Sequence, residues 1–428
     1  MNQLGKPIIN LFKNQLFRDT AIYTITNALN SGLPFLMMPI LVRYLSPTDY
    51  GIFVTFQLLC FLFSSLIGFS IHGAVGRQYL EKDHIDFPAY IGNCIIVLIA
   101  STCGVGIIVG VFHNSIVHLT RFPGRWLPLV IGTCVSQFLT LMLLTIFQME
   151  NKPVKYGASQ ILQTALNFGL SLILVVKFGI GWRGTVLGQF FATFITGFIS
   201  LVFLSRANLI HFRFNKEYIQ HALAFGVPMI PHSVGAALIA MTDRVIISNL
   251  MGVAETGVFS VGYQVGMGIL LLQNSFNQAW VPWCFGKLKN NLNSDKLMIV
   301  KITYGYFLII VALALTLGWV APALIGPYLG KNFQKATAVV IWIALGYAFN
   351  GMYKMVSTYM FYQSKTYILA YLTFFTAILN IALCYQFVHW NGSVGAAQAT
   401  ALAFFVSFVL TWVTASRVYP MPWRLRMG

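Results

Sequence analysis

Twelve apolar stretches of roughly twenty residues or more run along this chain, each long enough to cross a ~30 Å hydrocarbon layer as a helix. They fall at 20–43, 50–75, 89–112, 127–148, 156–177, 183–205, 219–241, 254–284, 297–320, 336–358, 366–388 and 394–415. Backbone in hydrocarbon must satisfy its own hydrogen bonds, which leaves helices or closed barrels, and runs of this length are helical. Only 9% of the 428 residues are charged, against about 25% in a soluble domain. The pattern predicts an all-α integral membrane protein with twelve transmembrane helices.

The formal net charge of +17 raises the question of nucleic acid, so its distribution matters more than its sum. With the N-terminus inside, nineteen of the 27 Lys and Arg residues fall on the inner side, among them Lys6, Lys13, Arg18, Lys152, Lys287, Lys354 and Lys365. That asymmetry is the positive-inside rule with both termini cytoplasmic, and no nucleic-acid partner is implied. The segment GKPIINLFKNQLFRD before the first run reads as a short interfacial helix with Ile8, Ile9, Phe12, Leu16 and Phe17 toward lipid. It does not read as a cleavable signal peptide. All six cysteines fall inside the runs without metal-like spacing and are expected to pack as small buried hydrophobes.

The first run carries helix breakers. Residues 32–51 read GLPFLMMPILVRYLSPTDYG, and about two hundred residues on stand GVPMIP at 226–231 and GVAETGVFSVGY at 252–263. Gly32 and Pro34 match Gly226 and Pro228, and Asp49-Tyr-Gly51-Ile-Phe53 matches Glu255-Thr-Gly257-Val-Phe259. Later, Lys152 precedes Asn167 by the same fifteen residues that separate Lys365 from Asn380, and a Gly-x-x-Gly follows each, at Gly181–Gly184 and Gly392–Gly395. Six runs per copy start both copies on the same membrane side, so the copies are parallel repeats, a plan that puts a transport path between halves. The expected organisation is an N-terminal six-helix bundle over 1–205, a cytoplasmic linker over 206–218, and a C-terminal six-helix bundle with a short tail over 219–428. Helix breakers are tolerated where freed backbone groups line a cavity or find partners, and Gly32, Pro34, Pro39, Gly226, Pro228 and Pro231 are candidate hinges.

Only ten acidic residues are present, without a Walker loop, a Gly-x-Ser-x-Gly or a paired-histidine motif. No catalytic residue, metal site or cofactor is assigned, and transport is expected to be passive or ion-coupled. Asp243 and Arg244, at the end of the seventh run, are the strongest polar signal, because charge at membrane depth faces a cavity or a partner; the plainer reading is that they pair with each other at the interface. Arg43 and Arg77 end the first two runs and offer the planar donor fork that suits phosphate, or they anchor helix ends. His72 and His232 lie within runs and titrate near neutrality, so with Asp243 they are candidates for ion coupling, or else packing histidines. Asn27, Asn30, Gln57, Asn274, Asn277 and Gln278 put amides on three helices, as interhelical glue or as a lining for sugar hydroxyls. Trp280, Trp283 and Tyr263 would stack on sugar rings or anchor at the interface.

Taken together, GLPFLMMPILVRYLSPTDYG, the arginine in GRQYLE, TDRVIISNLMGVAETGVFSVGY and the twelve runs resemble the polysaccharide transport family. These are the Wzx-type oligosaccharide flippases of the multidrug/oligosaccharidyl-lipid/polysaccharide exporter superfamily. The resemblance implies two six-helix bundles forming a V around a cationic central cavity, in the bacterial inner membrane. It implies translocation of an undecaprenyl-diphosphate-linked oligosaccharide, such as an O-antigen unit of lipopolysaccharide, from the cytoplasmic to the periplasmic leaflet by ion-coupled alternating access. Membrane lipids, a polysaccharide polymerase and a chain-length regulator are the partners it implies. Arg43, Arg77, Asp243 and Arg244 fall on the matching motifs. The rivals are a drug/cation antiporter of the same superfamily, which would need more cavity acids than Asp243, a peptidoglycan-precursor flippase, which would usually have two further helices, and a membrane glycan polymerase or transferase, which would need a large outer loop with catalytic residues.

Overall fold

The computed structural model describes residues 26, 29, 30, 32, 33, 37–79, 81–150, 152–227, 230–329, 331–363 and 366–423. Every regular element among them is helical. The expected interfacial helix, most of the first run, and Asn27, Pro34, Pro228 and Lys365 lie outside the described residues, as do the side chains of 231–240, which include Pro231 and His232. Nine helical segments among the described residues are long and apolar enough to span a membrane.

By its internal contacts the chain forms two compact units, one comprising 1–45 and 52–241, the other 46–51 and 242–428. Helix α1 (Pro47–Leu66), in the first unit from residue 52 on, opens on Ser46, whose hydroxyl accepts the Asp49 amide at 3.1 Å while the Asp49 carboxylate accepts the Ser46 amide at 3.2 Å. This reciprocal cap satisfies two N–H groups that the helix start would otherwise orphan. The second run then breaks at IGFS, Ile67–Ser70, before resuming as α2 (His72–Tyr79). Gly68, Phe69 and Ser70 all have positive φ (73°, 48° and 55°), a conformation that costs a side-chain-bearing residue roughly 1–2 kcal/mol. The break is held from outside: the Gly68 amide donates to Ser101 Oγ at 2.8 Å, and that hydroxyl donates to the Leu98 carbonyl.

Four further long helices complete that unit: α3 (Phe87–Val111), then after the short α4 (His113–Thr120), α5 (Leu127–Met149), α6 (Pro153–Leu172) and α7 (Trp182–Arg206). The sequence HNSIVHLTRFPGRW, between two apolar runs, contains a helix, whose Ile116 and Val117 are half-buried and whose Thr120 is buried, one turn on. Pro88, Pro128 and Pro153 sit in the first turns of α3, α5 and α6, where the missing N–H is not needed. After α8 (Lys216–Gly226) the chain enters α9 (Ile230–Met251), within which the division between units falls.

The second unit holds α10 (Val253–Gly266), α11 (Gly268–Asn290), α12 (Asn293–Leu329), α13 (Thr337–Tyr362) and α14 (Thr366–Val418). α14 is two spans joined at Asn391 and Gly392, and Gly392 has φ 60°, ψ −142°. Gly181, at the matching place before α7, has φ 59°, ψ −140°, a region open essentially to glycine alone. The two Gly-x-x-Gly turns picked out in the sequence therefore share one backbone geometry. The core of this unit runs through Phe259, Trp280, Ile299, Val339, Ile343, Met355 and Cys384. Trp280 is 3% exposed and ring-packed between Phe276 and Trp283; it is a core residue, neither a sugar platform nor an interfacial anchor. Five cysteines are buried as expected, but Cys103 is exposed on α3, beside the exposed Ile99 and Ile107 on a face made for lipid.

Candidate functional site

The polar residues of the second unit gather along α9, α10, α11, α13 and α14. Asp243 is buried, at 5% exposure, and its Oδ2 accepts from Thr400 Oγ1 on α14 at 3.1 Å. Thr400 Oγ1 in turn accepts from Asn380 Nδ2 at 3.4 Å, and the Cys384 thiol is a further hydrogen-bonding neighbour of the carboxylate. Asp243 Oδ1 has no N or O partner among the described residues. A carboxylate buried on neutral donors costs free energy unless a cation, a proton or further hydrogen bonds offset its desolvation.

Arg244, half-buried, lies over the Tyr263 ring with its guanidinium 4.2 Å from the centroid, and 5.7 Å from that of Phe259. The Tyr263 hydroxyl is 2.7 Å from that of Tyr347 on α13. Tyr50, in the segment 46–51 that belongs to this unit, donates to Gln264 Oε1 at 2.8 Å and packs edge-on against Phe333. Adjacent in sequence, Asp243 bonds Thr400 on α14 while Arg244 lies over the α10 rings, and the Arg244 charge also acts on the Asp243 carboxylate.

About three turns along from Tyr263, Gln273 and Asn274 of α11 meet Asn350 and Lys354 of α13. Gln273 Nε2 donates to Asn350 Oδ1 at 3.2 Å, and Lys354 Nζ donates to Asn274 Oδ1 at 2.6 Å. Lys354 is one of the nineteen inner-side cations; the one sequence signal that sets it apart is its place inside an apolar run.

The remaining candidates fall elsewhere. Asn30 bridges to α6, donating to Gln160 Oε1 at 2.6 Å and accepting from Thr164 Oγ1 at 2.8 Å. Arg43, Arg77 and Gln57 are exposed, and Arg77 lies in the last turn of α2. His72 is half-buried, edge-on to Phe138 at 6.2 Å, with Nδ1 unbonded. Gly32 has open space around it and Pro39 sits in a helical stretch. Gly226 is pressed onto the Phe69 carbonyl so closely that a β-carbon would collide with it, which ties it to the break in the second span. That break, with two side-chain-bearing residues at positive φ, was missed by a search for proline; its only sequence signal is Gly68.

Residues 16–288, 273 of the 428, match the family described as polysaccharide biosynthesis protein. The chain belongs to that family. Relatives in Haemophilus influenzae are an "uncharacterized membrane protein", 25% identical over 82% of this chain and 85% of its own length, and "Lsg locus putative protein 1", 20% identical over 92% and 98%. Among solved structures, the lipid II flippase MurJ in an inward closed conformation superposes with TM-score 0.73 at 16% identity, covering 94% of this chain and 88% of MurJ. An inward-facing multidrug resistance MATE family transporter of the MOP superfamily superposes with TM-score 0.70 at 15% identity, covering 92% and 98%. This polysaccharide biosynthesis protein therefore shares the all-helical, multi-pass fold of that exporter superfamily, in agreement with the resemblance read from its motifs.

Proposed function

We propose that the protein is a flippase that carries an undecaprenyl-diphosphate-linked oligosaccharide, an O-antigen or related surface polysaccharide unit, from the cytoplasmic to the periplasmic leaflet of the inner membrane. The observation that carries this reading is a pair of opposite charges in the second unit: a buried carboxylate held by Thr400, beside an arginine spread over the Tyr263 ring. A diphosphate cannot cross hydrocarbon unaided, and an arginine fork meets its oxygens with directional, charge-assisted bonds. Membership of a polysaccharide biosynthesis family and likeness to a protein titled as a lipid II flippase support a lipid-linked sugar as cargo.

In this reading Asp243, with Thr400 and Asn380, is the coupling site. A proton or a monovalent cation bound at Asp243 offsets the cost of its burial, and it drives transport when it binds the inward and outward states with different free energies. Arg244, Arg43 and Arg77 serve the diphosphate, Asn274 and Asn277 the polar path, and His72 is a second titrating group on the first unit. Both termini are cytoplasmic, and a polysaccharide polymerase and chain-length regulator act on the product.

Deleting the gene tests the proposal: lipid-linked oligosaccharide should accumulate on the cytoplasmic side and surface polysaccharide should disappear, both restored by the wild-type gene. Unchanged surface glycan in a strain with no second flippase would overturn it. A drug/cation antiporter is the second reading, favoured by the buried Asp243; drug-sensitivity with intact surface glycan in the same deletion would select it.

A further inference from the structure

Lys354 stands eight residues, ~12 Å of helix, inside the end of α13 at Tyr362. A lysine that merely anchors a helix end sends its ammonium toward that end and into water. This one does otherwise. α10 and α11 in turn run alongside α13 in one register, Gly262 and Gly266 of α10 against Val339 and Ile343, Gln273 of α11 against Asn350, which sets Lys354 level with Asn277. Its ammonium reaches Asn274 instead, about one turn toward the N-terminal ends of both helices.

No carboxylate of its own unit answers the charge. The second unit contains four acidic residues. Asp49 bonds Ser46, Asp243 bonds Thr400, Glu255 accepts from Ser393 at 2.6 Å, and Asp295 pairs with Lys287 at 3.0 Å. One turn back on α13, Gly351 leaves a space that the Tyr306 hydroxyl and Gln273 Oε1 enter, so a β-carbon there would meet them at 2.6 and 2.9 Å. An ammonium has three donors, and Asn274 takes one.

We infer that Lys354, held by Asn274 at the helix level of Asn277, is a binding site for an anionic phosphate oxygen of the lipid-linked substrate, distinct from the one at Arg244. The inference rests on the proposed function. Counted along α10 and α11 from Tyr263, under Arg244, to Asn274 is eleven residues, ~16 Å, about half the hydrocarbon thickness. A diphosphate is too short to touch both cations, so the two hold it in succession, at two depths of one unit.

The test is binding of defined probes to the purified full-length protein, by ligand-induced thermal stabilisation: a polyprenyl diphosphate, the monophosphate and the uncharged polyprenol. Wild type should prefer the diphosphate over the polyprenol. Lys354→Gln should weaken diphosphate binding by about tenfold or more and leave polyprenol binding unchanged, and Lys354→Arg should restore most of the difference. Where Lys354→Gln fails to accumulate, Asn274→Ala decides, since it keeps the charge and releases its tether; a several-fold selective loss for the diphosphate is expected. Diphosphate binding equal to wild type in the variant that folds overturns the Lys354 site and leaves the flippase reading standing. A wild-type protein with no preference for the diphosphate removes that reading, and this site with it.

Discussion

Gly51 and Gly257 meet reciprocally. A β-carbon on Gly51 would strike the Val253 carbonyl and come within 3.1 Å of the Gly257 amide nitrogen, while one on Gly257 would strike the Pro47 carbonyl and come within 2.9 Å of the Gly51 amide nitrogen. Pro47 precedes Gly51 by four residues, as Val253 precedes Gly257. Two segments that each present the same surface to the other are related by a two-fold axis, and these are the segments that the sequence repeat aligns. The acidic residue of each copy has diverged in use: Asp49 caps its own helix, whereas Glu255 receives the Ser393 hydroxyl.

Close backbone approach of this kind is what small residues supply at helix crossings in membranes. Gly257→Ala is expected to destabilise by ~1–3 kcal/mol through overpacking, and Gly257→Val by more. Thermal unfolding in detergent checks it, and a midpoint equal to wild type for Gly257→Val would show that the contact is slack.

Ser101→Ala leaves the buried Gly68 amide without its acceptor, a loss of ~1–3 kcal/mol. Amide exchange at Gly68 should quicken more than in the middle of α3, because the unsupported break is where the second span opens first.

Tyr263 has two contacts that separate by substitution. Tyr263→Phe loses the hydroxyl bond to Tyr347 and keeps the ring beneath Arg244, at a cost of ~1 kcal/mol; Tyr263→Leu removes the ring too, adding ~0.5–2 kcal/mol of cation–π attraction. A difference between the two in denaturation midpoint and in transport identifies the ring as Arg244's support.

Asp243→Asn should retain a hydrogen-bonding partner for Thr400 while discarding the charge. Gradient-driven transport in proteoliposomes is expected to fall at least tenfold, with substrate binding within a few-fold of wild type. Loss of binding and transport together would make Asp243 a structural residue.

Arg244→Ala should impair export of the lipid-linked unit while the protein still reaches the membrane, and Arg77→Ala, exposed at the end of α2, should do so more weakly. Surface polysaccharide per membrane-inserted protein is the measurement.

Membrane class and helical fold were legible because hydrocarbon leaves a backbone no other open arrangement, so run length alone carries them. The repeat was legible at Gly51, Gly257, Gly181 and Gly392, because close approach or positive φ admits only glycine there and the residue type reports the geometry. Asn30 and Asn274 show what was hidden: the same amide on a membrane helix bonds Gln160 and Thr164 in one case and Lys354 in the other. Composition and spacing say that a polar group is present in an apolar run. Which partner satisfies it depends on neighbours 130 and 80 residues away, brought alongside only when the helices pack. That is why Trp280 is core, why Lys354 meets Asn274 and why Asp243 meets Thr400: burial and partnership are properties of the packed helices, and a single run of sequence carries neither.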